Sequence, residues 1–156
     1  MNYNELSEEE QISFVSSNGD RAIRYIEYPS LAVQLAAVQR NPWAIQHIKD
    51  PSEVVQLAAI RENGYAIQYI KNPSEVVQLG AVQRRPWAIR YIENPPEAVK
   101  LAAVQQEGLV IQYIDNPSKV VQLAAVQDTG YAIRYIKNPS DELRSYAELL
   151  ILGNTV

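Results

Sequence analysis

The sequence contains no cysteine and a single histidine, His47, so it has no thiol and only one imidazole for catalysis or metal binding. Without cysteine there is no disulfide, no thiolate nucleophile and no thiolate metal site, which fits a reducing compartment. The acidic residues are spread along the chain and form no paired-carboxylate set. His47 occupies a position that is tyrosine in other copies of the repeat described below, and we interpret it as a tyrosine substitute. We therefore expect a protein that is not an enzyme and holds no metal or cofactor.

The chain also lacks an excess of positive charge and a long apolar run. Its formal net charge is −4, whereas sequence-independent binding to phosphate backbones requires clustered lysine and arginine. The first residues, MNYNELSEEEQ, are acidic and polar, unlike a secretory signal, and no apolar run approaches the length of a membrane span. These absences favour a cytoplasmic protein that does not enter a membrane, and they disfavour nucleic acid as a partner.

Most of the chain consists of one sequence unit that is repeated. Proline recurs at intervals of 22 residues, at Pro29, Pro51, Pro73, Pro95, Pro117 and Pro139. A fixed period of this length is typical of stacked helical units that share a continuous core. We predict one all-α domain over residues 1–156, an α-solenoid of about six 22-residue helix-turn-helix repeats. The repeats span residues 22–139, between an N-terminal cap at 1–21 and a C-terminal cap at 140–156.

Each unit is predicted to hold two helices. The longer, helix A, begins at the serine after each proline, because a serine hydroxyl accepts hydrogen bonds from the free N–H groups of a first turn. It continues for about eleven residues through V-V-Q-L-A-A-V-Q. The shorter, helix B, reads W/Y-A-I-R/Q-Y-I, is predicted to be partly 3₁₀, and ends at Asn-Pro because the residue before proline avoids the α region. The turn from A to B carries proline or glycine, so it cannot require positive φ.

The N-terminal cap has its own helix signal. Ser7 and Glu10 form a capping-box pattern, in which each side chain bonds to the main chain of the other residue. A helix is predicted from there to about Asn18, stopping at Gly19.

A helical wheel of residues 75–85 separates a buried arc, which includes Val76 and Val77, from an open face that includes Gln78 and Val82. Repeated along the chain, this open face predicts two rows. The glutamine row is Gln34, Gln56, Gln78, Lys100 and Gln122, and the valine row is Val38, Ile60, Val82, Val104 and Val126. We expect both rows to line a concave groove.

The wheel gives helix B a buried side as well. Ala66, Ile67 and Ile70 are predicted to point inward, and Tyr69 is predicted to pack beside Tyr65, four residues earlier.

The repeat N-P-S-E-V-V-Q-L-A-A-V, followed by N-P-W-A-I, resembles short two-helix solenoid repeats of the leucine-rich-variant and HEAT-like kind. It is also similar to repeats in uncharacterised proteins of bacteria and their phages. The resemblance covers Ala22 to Gly153. It implies a binding scaffold for a protein partner and, if phage-encoded, an inhibitor that occupies a host protein.

Two kinds of binding stay open. A protein partner would contact the glutamine row, Val82 and the two tryptophans, Trp43 and Trp87, together with nearby arginines. The alternative is nucleic acid or a phosphorylated small molecule, held by a local basic set with the tryptophans stacking on bases. That basic set is Arg84, Arg85 and Arg90.

The C-terminal segment is more apolar than an end cap needs, because Leu149, Leu150, Ile151 and Leu152 follow one another. These residues either fold back on the last repeat or form a homodimer contact.

Overall fold

The computed structural model describes residues 2–19 and 21–153, so residues 1, 20 and 154–156 of the predicted caps lie outside the described residues. Within those two ranges the chain is all-helical and has no β-strand, which confirms the predicted class. The α-helices are α1 Glu8–Ser17, α2 Leu31–Arg40, α3 Glu53–Glu62, α4 Glu75–Arg84, α5 Glu97–Val104, α6 Lys119–Asp128 and α7 Asp141–Gly153. The 3₁₀ helices are η1 Tyr3–Glu5, η2 Ala22–Tyr25, η3 Pro42–His47, η4 Gly64–Tyr69, η5 Pro86–Tyr91, η6 Gly108–Tyr113 and η7 Gly130–Tyr135. None of these helices is both long and apolar enough to cross a bilayer.

The capping box at Ser7 is present. The Glu10 N–H donates to the Ser7 hydroxyl at 3.3 Å, and the Ser7 N–H donates to the Glu10 carboxylate at 2.9 Å. The main-chain bond, helped by a second bond from the Ser7 hydroxyl, lowers the pKa of Glu10 below its usual value. Helix α1 ends at Ser17, and Gly19 then takes a left-handed φ of +80°, so both predicted ends of this helix are confirmed.

The predicted serine caps form in most repeats. In these helices the serine hydroxyl accepts the N–H of the residue three positions on, as in Ser30, Ser74, Ser118 and Ser140. Ser52 makes no such bond, and Pro96 has no hydroxyl to offer. Helix A is ten residues long in α2, α3, α4 and α6 and eight in α5, slightly shorter than expected.

Helix B is 3₁₀ throughout, and it ends earlier than predicted. In η4 the last helical residue is Tyr69, and Ile70 is already extended. The residue before the proline then takes a left-handed φ of 47–51°, at Asp50, Asn72, Asn94, Asn116 and Asn138. Asparagine and aspartate adopt this conformation more readily than other side chains. The turn is therefore made by this Asn or Asp, and proline alone does not end the helix.

The helices lie in two rows. Within residues 2–19 and 21–153, substantial contacts join only helices that are one or two positions apart in chain order: an α-helix with the adjacent 3₁₀ helices, an α-helix with the next α-helix, and a 3₁₀ helix with the next 3₁₀ helix. Successive α-helices are parallel, since their first residues lie together and their last residues lie together. Ser74 donates to the Glu53 carboxylate at 2.6 Å, and the Arg84 side chain donates to the Arg61 carbonyl at 3.0 Å. We call the row α1–α7 the α layer and the row η2–η7 the 3₁₀ layer.

The core lies between these layers. Ala66, Ile67 and Ile70 are buried, which confirms the predicted inner side of helix B. From α4 the core receives Val77, Ala81 and Val82, none of which has any exposed surface.

The burial of Val82 contradicts the predicted open face. Val82 is 0% exposed, and the whole valine row is core, whereas Val76 is 57% exposed. The helix is rotated relative to the prediction because it buries the side that holds Val77 and Val82 and leaves out the side that holds Val76. The wheel placed both Val76 and Val77 in the buried arc, so the prediction is confirmed for Val77 and wrong for Val76.

Three turns from helix A to helix B pass very close to the next repeat. A Cβ added at Gly64, Gly108 or Gly130 would lie 2.3–2.7 Å from a carbonyl oxygen of the following α-helix. None of these glycines has positive φ, as expected from the prolines at equivalent positions. The absence of a side chain there serves close packing.

Candidate binding surfaces

The glutamine row closes the turns that precede helix A. The Gln78 amide donates to the Pro73 carbonyl at 2.9 Å. The same bond recurs at 2.8–2.9 Å in the other glutamine repeats, from Gln34 to Pro29, Gln56 to Pro51 and Gln122 to Pro117. These side chains and Lys100, which takes the fifth place, are half-buried. The recurrence of glutamine therefore has a structural cause.

This arrangement makes a prediction about stability. The double change Gln56→Glu and Gln78→Glu removes two donated hydrogen bonds and sets carboxylates against carbonyl oxygens. We expect the free energy of unfolding, measured by urea denaturation, to fall by about 2 kcal/mol. The matched control is Gln83→Glu with Gln127→Glu, at exposed positions of the α layer, which should change it by less than about 0.5 kcal/mol. Equal stability of the two double variants would contradict a structural role for the row.

A set of aromatic contacts joins consecutive 3₁₀ helices. Ring centroids lie 5.8 Å apart for Trp43 and Tyr69, 6.2 Å for Tyr65 and Tyr91, and 5.9 Å for Trp87 and Tyr113, each pair edge to face. We call these six residues the aromatic ladder. Leu109 replaces the aromatic residue in η6, so the described ladder stops at Tyr113.

The predicted packing of Tyr69 beside Tyr65 is wrong, because each ring packs against the neighbouring repeat. A 3₁₀ helix has about three residues per turn, so positions i and i+4 do not share a face as they do in an α-helix. Tyr69 and Tyr113 are exposed, while Trp43 and Trp87 are half-buried. The tryptophans lie in η3 and η5, with η4 between them.

Two of the three candidate arginines are engaged within the chain. The Arg90 guanidinium lies 4.5 Å from the Tyr91 ring centroid and 5.7 Å from that of Tyr65. It also donates to the Tyr91 hydroxyl, which is the main reason that its pKa is raised. Arg84 donates to the Arg61 carbonyl, as described above, and Arg85 is exposed at the end of α4. Arg90 thus packs against two rings of the ladder, and Arg84 links two helices of the α layer.

The histidine lies beside the ladder. The Nε2 atom of His47 is buried and has no hydrogen-bond partner within the described ranges. Its side chain borders a polar cleft of about 540 Å³ whose wall includes Lys49, Asp50 and Tyr69. Among residues 2–19 and 21–153, no group of three or more His, Cys, Asp or Glu is placed to hold a metal ion.

The apolar residues of α7 pack on the last repeat only in part. Ala147 is fully buried and Leu150 packs against the core, so part of the helix folds back on the last repeat. Leu149 is 68% exposed and points away from that contact.

A comparison of the chain with known protein families, with curated protein sequences and with solved structures found no match in any of the three. The surfaces described here are therefore interpreted from their own chemistry.

Proposed function

We propose that the chain is a non-catalytic α-solenoid scaffold that binds a protein partner through the aromatic ladder. The 22-residue period and the restriction of contacts to neighbouring helices support the solenoid arrangement. The observation that carries the binding proposal is the series of edge-to-face rings that joins consecutive 3₁₀ helices and leaves tyrosines exposed.

The composition of the ladder is that of an interface centre. Tyrosine, tryptophan and arginine are the residues that most often contribute large binding energies at protein–protein interfaces. Here the rings are already fixed by one another and by the cation–π contacts of Arg90. Side chains that are ordered before binding lose little conformational entropy on binding.

Nucleic acid or a phosphorylated small molecule is the second candidate, and it has less support. Aromatic rings beside arginine suit base stacking, and Arg24 and Arg134 lie over Tyr25 and Tyr131 in the way that Arg90 lies over its rings. Against this, Arg84 and Arg90 are engaged internally and the net charge is −4.

The test is retention of proteins from a bacterial lysate on the immobilised chain. The double variant Tyr69→Ala with Tyr113→Ala should retain a partner about tenfold or more weakly. It removes two ring contacts, so its melting temperature should fall, but the chain should stay folded at the temperature of the assay. Tyr28→Ala is the matched control, since this tyrosine is more exposed and lies outside the ladder. Unchanged retention by the double variant would contradict the proposal, and a retained nucleic acid that is released by moderate salt would favour the second candidate.

The same experiment tests the inhibition of a host protein that the resemblance to phage repeat proteins implies. If the chain inhibits a host protein, the retained protein should lose its activity when the purified chain is added. The Tyr69→Ala and Tyr113→Ala variant should relieve that loss.

A further inference from the structure

A cleft between α6 and α7 has no role in the proposed function. It has a volume of about 470 Å³, and its apolar wall consists of Leu123 from α6 with Leu143 and Tyr146 from α7. The two helices are less closely packed here, since α7 contacts α6 less extensively than any earlier α-helix contacts its predecessor. Small-molecule sites in proteins typically have volumes of about 300–1,000 Å³, so the cleft is large enough to hold such a ligand.

The side chain of Tyr146 accounts for the separation of the two helices. This position faces the preceding α-helix, because a Cβ added at the equivalent Gly80 would lie 3.5 Å from the Ile60 side chain of α3. A tyrosine ring cannot fit into a contact that a methyl group fills. The equivalent residues of α2–α6 are all small: Ala36, Ala58, Gly80, Ala102 and Ala124.

A cation lies at the border of the cleft. Lys119 is the first residue of α6, whereas α3, α4, α5 and α7 begin with Glu53, Glu75, Glu97 and Asp141. The helix dipole disfavours a positive charge at this end, so the helix gives no reason for the lysine. The Lys119 ammonium donates no hydrogen bond to any residue that the structure describes. It is therefore free to pair with an anion.

Three other polar groups at the cleft already have partners near the start of their own helix. The Gln122 amide donates to a main-chain carbonyl at 2.9 Å, and the Ser140 hydroxyl accepts the Leu143 N–H at 3.3 Å. The Glu142 carboxylate accepts bonds from its own N–H and from the Ser140 hydroxyl, which lower its pKa, and the charge of Lys119 lowers it further. Glu142 is thus held at the start of α7.

We propose that this cleft binds a small organic acid, with the apolar part of the ligand against Leu123, Leu143 and Tyr146. The carboxylate of the ligand would pair with Lys119. Two departures from the repeat, an aromatic ring at a small position and a cation at an acidic one, thus border the same cleft.

An apolar wall with one charged group is typical of a small-molecule site. A protein partner would need about 800 Å² of surface on each side, whereas this cleft is confined to one pair of helices. The cleft lies on the α layer and the aromatic ladder on the 3₁₀ layer, so the two sites are separate.

The first test compares two probes of nearly the same shape, 2-naphthoate and its uncharged amide, 2-naphthamide. Binding is measured from the broadening of the probe's NMR signals. The original chain should bind 2-naphthoate with a Kd of about 1 mM or below, and 2-naphthamide about threefold or more weakly. Lys119→Gln should remove this difference. Lys71→Gln, which removes the charge of an exposed lysine in another repeat, should keep it. No binding of either probe at about 5 mM, or equal binding of both by the original chain, would overturn the proposal.

The second test restores the small residue of the repeat at the wall of the cleft. Tyr146→Ala lets α7 approach α6 and removes the ring, so both probes should bind about tenfold or more weakly. Tyr28→Ala, at an exposed tyrosine outside the cleft, should bind them as the original chain does. Far-ultraviolet circular dichroism checks that both variants are folded, and the comparison of probes on the original chain does not depend on either of them. Undiminished binding by Tyr146→Ala, or equal loss in Tyr28→Ala, would overturn the proposal.

Discussion

Replacing Val82 with aspartate is expected to abolish the cooperative fold, whereas Val76→Asp in the same helix should leave it nearly intact. Val82 has no exposed surface and Val76 is more than half exposed. A carboxylate at position 82 would have to be buried without a partner or be protonated, which costs about 4 kcal/mol or more and is comparable with the whole stability of a small domain. At position 76 the carboxylate stays in water, and the cost is about 0.5 kcal/mol.

Far-ultraviolet circular dichroism during urea denaturation distinguishes the two outcomes. Val77→Asp serves as a second buried control, adjacent in sequence to Val76 and fully buried. If Val76→Asp proved the more damaging change, the helix would be rotated toward the orientation that the helical wheel predicted.

The second large effect is expected at Gly108. Its added Cβ would lie 2.3 Å from the Ala125 carbonyl oxygen, and its N–H donates to the Asp128 carboxylate at 2.7 Å. Because the obstructing atom is main chain, relief requires a shift of the whole of α6. Gly108→Ala should therefore lower the free energy of unfolding by about 3 kcal/mol.

Gly80→Ala is the matched glycine control, and it is expected to raise the free energy of unfolding. Its Cβ would meet the Ile60 side chain at 3.5 Å, an ordinary contact, and the equivalent residue is alanine in the other helices A of α2–α6. Alanine in a helix interior is more favourable than glycine, so this variant should be more stable by about 0.5–1 kcal/mol. Urea denaturation midpoints measure both changes. If Gly80→Ala lost as much stability as Gly108→Ala, the contacts described here would not explain why glycine occupies the two positions.

The features that sequence predicted correctly depend on residues close together in the chain. The capping box at Ser7, the serine caps and the inner side of helix B each follow from a pattern of a few residues. The all-helical class followed from the same local patterns. The repeat strengthened these predictions, since each pattern occurs in several copies of the unit.

The features that sequence missed depend on the neighbouring repeat. Val76 and Val77 are alike, and only the position of the adjacent helices decides which one is buried. Tyr65 contacts Tyr91, 26 residues away, because the 3₁₀ helices align side by side. One missed feature did have a local signal: Asn or Asp precedes the proline in five repeats, and those residues are known to tolerate left-handed φ.

The residues that the sequence singled out as a candidate site have different surroundings in the structure. Trp43, Trp87 and Arg90 do lie on a shared aromatic surface, but the glutamine row was interpreted as exposed when its amides close the turns. A recurrent polar residue can serve the fold as well as a partner, and the pattern of recurrence alone does not distinguish the two. The hydrogen-bond partners of the side chain distinguish these two roles.

The restriction of contacts to helices one or two positions apart has a mechanical consequence. In the part of the chain that the structure describes, no substantial contact joins helices more than two positions apart, so a force that pulls the two ends apart is borne by one repeat boundary at a time. Each 22-residue unit that detaches releases roughly 75 Å of extended chain. The molecule should therefore lengthen in small, similar steps at modest force, and shorten again unit by unit when the load is removed, which is the behaviour of a spring.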